Sequence, residues 1–595
     1  MSTATTPPRG PGGPGARADR RRGHGHGDAR GGHPHSRGRW DHWQHRRARL
    51  RHHMHHHRWP GHRRYGPPAL IAAALAVAVV VLTPVVFLIV QAFQTGWSTL
   101  QPLLFRSLTG ELLWHTVSLT AVVTVLCAGL GTVLAWFVER TDLPGRRIWA
   151  VLVVIPLGIP DFVVSFGWRA IFPSFGGYWA AVLVMTLAVY PLVYLPVAAN
   201  IRNADPAQEE VARSLGLGRF ATFWKVTVGQ ARLAVLGGSV LVALVCLAEF
   251  GAFEILGFST LTTEAYTEFK VGFDTAAGCA FSLILVGLGA ILLVGEGAAR
   301  GKGRAARTGS GAPRAMRPRR LGRGTLPVLG GVAGVVVLAL GVPVGAIVYL
   351  IVQGGSSTVP NTSIWGATVT TFGYAAGAGL VGTIGALPIA LLSVRFPGRP
   401  VRIFEGASML VLAVPGIVVA LTAAYVTVHF LEGRWYQTTP LLILAYAVMF
   451  FPMAIVAVRS AVARAPVGLE EVGHSLGVRR RSVFWRVTLP LIAPGLAAAF
   501  CLVFLETATE LTATLILIPT NANTLATGFW AQQTNLSYGA AAPYAGLMVL
   551  IAAVPSYVLG RWFDRLPARS AAAGVAPAGP AGTATEVLAG ATMAR

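Results

Sequence analysis

Residues Glu209–Val228 read EEVARSLGLGRFATFWKVTV, and residues Glu470–Leu489, 261 positions later, read EEVGHSLGVRRRSVFWRVTL. Eleven of the twenty aligned positions are identical, among them Glu210/Glu471, Ser214/Ser475, Gly216/Gly477 and the pairs Phe223-Trp224 and Phe484-Trp485. A charged segment kept twice in an otherwise oily chain marks an internal duplication. The match extends upstream at offsets of about 253 to 261: DLPGRR at Asp142–Arg147 faces RFPGRP at Arg395–Pro400, and VIPLGIPDFVVS from Val154 faces VLAVPGIVVAL from Val411. The Pro inside each of the latter runs predicts a kink or break where freed backbone groups need other partners.

The 595 residues are 53% hydrophobic and 12% charged, and the apolar runs repeatedly exceed the roughly 18 to 20 residues that span a bilayer. Helices of a soluble protein seldom stay apolar on all faces for that length. The predicted fold is therefore an all-α integral membrane protein with about twelve transmembrane helices, six in each half. The first six lie near 69–93, 112–138, 149–171, 179–200, 234–256 and 276–298, and the second six near 327–352, 366–393, 405–428, 438–458, 491–517 and 541–560. The expected organisation is a disordered His/Arg-rich tail (1–66), a first unit (67–299), a basic linker (300–325), a second unit (326–567) and a disordered C-terminal tail (568–595). An internal pseudo-two-fold axis follows from the duplication.

A net charge of +25 suggests nucleic acid until it is located. Residues 1–64 carry fifteen Arg against three Asp, and Arg300–Arg323 carries nine Arg or Lys with no acid, so these two segments supply +21 of the total. The charge belongs to tail and linker, and the expected partner is a lipid bilayer rather than nucleic acid. The first apolar run starts only near Ala69, after the Arg-rich stretch, which predicts no cleaved leader and an N-terminus that stays in the cytoplasm. Forty-five of the forty-nine Lys and Arg then fall on the cytoplasmic side, leaving Arg106, Arg169, Lys270 and Arg434 elsewhere. Both charged copies become cytoplasmic loops between the fourth and fifth span of their half.

Each copy reads as a short amphipathic helix, a Gly break and a second helix ending in the aromatic pair. Glu210, Arg213 and Ser214 stand at i, i+3 and i+4, on one face. Val211, Leu215 and Phe223-Trp224 supply an apolar face, and Gly216 permits the turn. Such a knob suits a groove on a partner, although a helix lying at the lipid surface has a similar composition. The Glu-x5-Gly spacing, Glu210 to Gly216 and Glu471 to Gly477, resembles the EAA loop of permease subunits of ATP-binding-cassette importers. Val211 and Val472 depart from that family's first Ala and Gly473 from its second; Leu489-Pro490 keeps its Leu-Pro ending, whereas the first copy has Val228-Gly229.

The resemblance, over about residues 69 to 565, implies two type I importer permease units in a bacterial inner membrane. It further implies that each loop docks into a subunit of a homodimeric nucleotide-binding ATPase, which binds ATP and Mg, and that an extracytoplasmic solute-binding protein delivers the cargo. The chain itself has no phosphate cradle of the GK-[ST] kind: of its three Lys, Lys225 and Lys270 precede Val and Lys302 precedes Gly. No enzyme activity and no cofactor of its own are expected. Gradient-driven secondary transporters also show twelve spans in two halves, but they have no mechanical use for paired docking loops.

The segments LAEFGAFEILG (Leu247–Gly257) and TELTATLILIPTNANTLATGFW (Thr509–Trp530) resemble the corresponding regions of ferric-iron permeases, with thiamine, phosphonate and polyamine permeases as neighbouring groups. Glu249 and Glu510 are 261 apart and are expected near the middle of span five of each unit, with Glu254 and Glu506 close by and Asp161 after the Pro of span three. An ionisable group at membrane depth is costly and marks a wet cavity, a partner or a helix end. Gate, helix cap and contact with a hard cation such as Fe(III), which favours oxygen ligands, all remain open for these carboxylates, and no metal-ligand set is fixed. His115 and His429 read as packing residues. Twelve of the fifteen His lie in the first 62 residues, a tract able to bind metal ions or anionic lipid. Cys127, Cys246, Cys279 and Cys501 sit in apolar runs without ligand spacing.

Overall fold

The computed structural model describes residues 67–203, 206–272, 274–299, 320–354 and 362–553. The expected tails (1–66 and 568–595), most of the linker and the end of span twelve lie outside the described residues.

Helices account for the regular structure among the described residues, as a lipid environment demands, since a helix satisfies its own backbone groups within one segment. Among the described residues, eight continuous helices are long and apolar enough to cross a membrane: Pro68–Thr95, Ser107–Arg140, Gly177–Arg202, Phe223–Ala248, Thr275–Ala298, Gly322–Gln353, Ser363–Arg395 and Arg481–Ala508. Three more spans are bent pairs: Arg146–Gly158 with Asp161–Ile171, Phe404–Ala413 with Gly416–Phe430, and Thr439–Met449 with Phe451–Arg464. Tyr538–Ala553 is a shorter apolar helix at the position of the expected twelfth span. The first bent pair turns through 94°, and the bend falls at Ile159–Pro160, where the sequence places its proline. Val414–Pro415 makes the matching break in the other half.

Spans five and eleven depart from expectation. Each reads as one apolar run to Leu256 or Leu517, but the helices stop at Ala248 and Ala508, and separate short helices follow at Gly251–Leu256 and Thr512–Leu517. Each short helix then leads to another opened by a Thr capping box, Leu261–Thr267 behind Thr260 and Leu525–Thr534 behind Thr524. A threonine of the second span of each half locks this cap: the Leu261 N–H donates to Thr116 Oγ1 at 3.0 Å and the Leu525 N–H to Thr371 Oγ1 at 2.9 Å.

The two repeats interpenetrate. Ala74, Val81, Phe87 and Leu88 of span one are buried in a core with Ile389, Ile417, Tyr446 and Val458 of the second half. Val332, Val336, Ala339 and Ile347 of span seven are buried with Val163, Val184 and Tyr190 of the first half. Gly167 lets the exchanged span seven approach: a Cβ there would lie 2.7 Å from Pro343 Cα.

Candidate functional site: two surface knobs and a buried carboxylate group

The knobs are helices Pro206–Ser214 and Val467–Ser475, at the same end of the bundle in both halves. Each stops at a left-handed glycine, Gly216 at φ +84° and Gly477 at φ +78°. The exit is a Schellman turn in both: Leu217 N–H donates to Ala212 O and Gly216 N–H to Arg213 O, as Val478 N–H does to Gly473 O and Gly477 N–H to His474 O. Past the turn the second helix does not end at the aromatic pair, as its sequence suggested. It passes through a π-helical stretch, Phe223–Val228 or Phe484–Thr488, and continues into span five or eleven. Backbone angles stay helical through these junctions, so the Val-Gly and Leu-Pro endings give the same geometry.

The turn exposes apolar side chains. Leu215 is 77% and Leu476 76% exposed, and Val211, Val472, Trp224 and Trp485 are exposed beside them. In the first copy Phe223 packs edge-on against Trp136 at 5.3 Å and against Trp224 at 5.4 Å, with Trp224 the exposed member of the pair. Ser214 and Ser475 hydroxyls donate back to Val211 O and Val472 O, both at 2.8 Å. The Glu210 side chain lies outside the described set, and Glu471 is exposed. The preceding glutamates, which sequence reasoning passed over, make the internal contacts. Glu209 pairs with Arg140 at 3.2 Å and accepts from Thr227 at 2.9 Å; Glu470 pairs with Arg395 at 2.7 Å and accepts from Thr488 at 3.1 Å. The signal was available as an Arg at the end of span two in both halves.

The second cluster lies where spans five and eleven break. Glu249 and Glu510 sit at the breaks rather than in mid-helix, because each carboxylate takes an N–H of the following short helix: Ala252 N–H donates to Glu249 Oε1 at 2.7 Å and Ala513 N–H to Glu510 Oε1 at 2.9 Å. The far ends of these short helices meet cations, Arg169 donating to Ile255 O and Lys270 Nζ to Leu515 O at 3.3 Å. The arrangement complements the helix dipole at both ends. A Cβ on Gly416 would stand 3.3 Å from Glu510 Oε1, and the residue matching Gly416 in the first half is Asp161. Asp161 lies within electrostatic reach of Glu249 and Glu506, and Glu510 within reach of Glu249 and Glu506. Glu254 stands apart, exposed on its short helix and facing Glu264. Among the described residues no three His, Cys, Asp or Glu converge to hold a metal ion.

A cleft of about 590 Å³ opens at the end opposite the knobs, lined by Ser363, Thr370, Tyr374, Thr439, Asn521 and Asn523. His115 hydrogen-bonds to Ser259 O at 3.2 Å and packs on Phe258, and His429 stacks on Tyr425 at 4.0 Å; both are packing residues. The four cysteines are free thiols.

Residues 128–296 and 382–569 each match the family described as binding-protein-dependent transport system inner membrane component. The chain is 33% identical over 482 residues to the Fe(3+)-transport system permease protein FbpB 2 of Haemophilus influenzae, an alignment that covers 80% of this chain and 95% of that one. It is 27% identical to the sulfate transport system permease protein CysW of Escherichia coli, over 31% of this chain and 69% of the relative. A probable molybdenum ABC transporter permease protein of Haloferax volcanii is 27% identical over 30% of this chain and 72% of its own length.

Proposed function

As a member of the binding-protein-dependent transport system inner membrane component family, this chain is the multi-pass membrane subunit of an ATP-binding-cassette importer, and we propose that its solute is ferric iron. The observation that carries the choice is the extent of likeness. The Fe(3+) permease aligns over 80% of the chain and so shares the fused two-copy layout, whereas the sulfate and molybdenum relatives align over about one copy. Donor chemistry favours the same choice: Asp161 and Glu510 each lie within electrostatic reach of Glu249 and Glu506, while Arg169 and Lys270 donate to backbone carbonyls. Carboxyl oxygens are the donors a hard cation prefers.

In this reading the knob end faces the cytoplasm, as the distribution of forty-five of forty-nine Lys and Arg supports. A homodimeric ATPase binds ATP and Mg and receives one knob in each subunit through Leu215, Trp224, Leu476 and Trp485. An extracytoplasmic binding protein presents iron at the opposite end, where the polar cleft opens. Closure of the ATPase dimer moves the knobs, and the spans alternate access around the carboxylates. The broken helices at Glu249 and Glu510 put ends, rather than continuous ladders, beside the path. The test is uptake of radioactive ferric iron into proteoliposomes holding this chain, its ATPase and its binding protein. Iron should accumulate only with ATP; thiamine or a polyamine accumulating in its place overturns the iron assignment.

A further inference from the structure

We infer that Arg140–Glu209–Thr227 and Arg395–Glu470–Thr488 form two latches that make each knob move as one body with the second and fifth spans of its own half. Three elements meet in each. The Arg is the last helical residue of the second span, the Glu lies in the knob helix, and the Thr lies in the π-helical entry to the fifth span. The same carboxylate oxygen, Oε1, is shared by Arg and Thr in both copies, at 3.2 and 2.9 Å in the first and 2.7 and 3.1 Å in the second.

These are not solvated surface pairs, which contribute little. Arg140 is 6% and Glu209 14% exposed, and Arg395 is 10% and Glu470 22% exposed. Losing one partner of such a pair strands a buried charge, so the contact resists being pulled apart when the knob is pushed. Recurrence argues against accidental packing: the Glu and Thr repeat at 261 residues, while the Arg repeats at 255. The loops between therefore changed length without changing the meeting point. Phe223 and Thr227, four residues apart, both point inward, one onto Trp136 and the other onto Glu209.

Each copy adds one reinforcement of its own. Arg213 approaches Glu209 Oε2 at 3.8 Å, where the second copy has His474, and Arg395 also donates to Ala465 O at 3.1 Å, joining the end of span ten. The knob is thus fastened to the span helices behind it, leaving Leu215 and Leu476 free to face the ATPase.

The inference rests on the importer reading but not on iron. The perturbation is Glu209→Gln with Glu470→Gln, which keeps shape and the threonine contact but removes the charge. Two readouts apply: the ratio of ATP hydrolysis with and without loaded binding protein, and the spin-label distance between Ser214→Cys and Val133→Cys with and without ATP. The ATPase should still co-purify, the stimulation ratio should fall about tenfold, and the label distance, single and invariant in the parent, should broaden once ATP is added. The charge exchange Arg140→Glu, Glu209→Arg, made together with Arg395→Glu, Glu470→Arg, should recover part of the ratio, which a merely structural role does not predict. Thr227→Val with Thr488→Val, a shape-conserving pair, should give a smaller loss of about threefold and serves if the glutamine variant does not assemble. A stimulation ratio and label distance unchanged in the glutamine variant, or in the valine variant where only that one assembles, overturn the inference. Wrong assignment of the solute would instead leave the parent unstimulated by a ferric-binding protein, while its ATP-dependent label distance stays readable.

Discussion

Replacing Gly216 and Gly477 together by Val tests the turn on which both knobs depend. At φ +84° and +78° these residues are in the left-handed region, and no atom lies within 4 Å of where a Cβ would stand at either. The Cβ itself meets no neighbour, so the leading effect is one of backbone conformation. An L-residue in this region costs about 1–2 kcal/mol, and a β-branched one lies toward the upper end of the roughly 1–3 kcal/mol range for strained backbone. At about 2 kcal/mol per site, and about 1.4 kcal/mol per factor of ten, each knob adopts its docking shape roughly thirtyfold less often. Both knobs must be right in one complex, so the double variant falls by about three orders of magnitude. Insertion into the membrane should be unaffected, because the turns lie outside the spans. The assay is co-purification of the ATPase together with solute uptake. Gly216→Asn, which tolerates this region, should be milder, and Gly468→Ala, at a helical position with open space, should be silent. Parental uptake by the double valine variant would refute the reasoning.

Glu249→Gln with Glu510→Gln keeps an acceptor for Ala252 and Ala513 but removes charge; ferric-iron uptake should fall at least tenfold with the ATPase still bound, and normal uptake would rule out an essential charge. Gly238→Ala puts a Cβ 2.7 Å from Val193 Cα, so the expected overpacking of about 1–3 kcal/mol should lower the temperature at which the detergent-solubilised protein loses its monodisperse peak. Thr524→Ala removes a capping side chain worth about 1 kcal/mol and should loosen Leu525–Thr534, seen as faster amide exchange there than in Leu261–Thr267. A chain beginning at Gly66 should insert normally, because the residues before it have too little apolar content to pack; failure to insert would contradict this.

Much of the architecture was legible because lipid leaves few choices: apolar runs gave the spans, and Pro160 and Pro415 gave two of the bends. The breaks at Glu249 and Glu510 were not legible, since hydropathy continues across them and the interruption is made by a carboxylate capturing the next helix. The exchange of spans one and seven was equally hidden, because a side chain facing lipid and one facing another helix are both simply apolar. At the knobs, Gly216 and Gly477 stood out through conformational need, whereas Glu209 and Glu470 were overlooked in favour of Glu210 and Glu471. Their role depends on Arg140 and Arg395, far away in sequence, and no local pattern exposes it.

The exchanged first span has a consequence in time. Span one ends at Thr95, yet Tyr425, whose ring lies 5.1 Å from that of Phe87, is synthesised some 330 residues later. At about 5–20 residues per second, that is roughly 20–70 s during which Phe87 sits in the bilayer without the ring partner it has in the folded chain. Two separate polypeptides would have to find each other by diffusion to end that wait. A fused chain delivers the missing neighbour on a tether, at high effective concentration and in a fixed one-to-one ratio, so the nascent first half is never left to pair with the wrong copy.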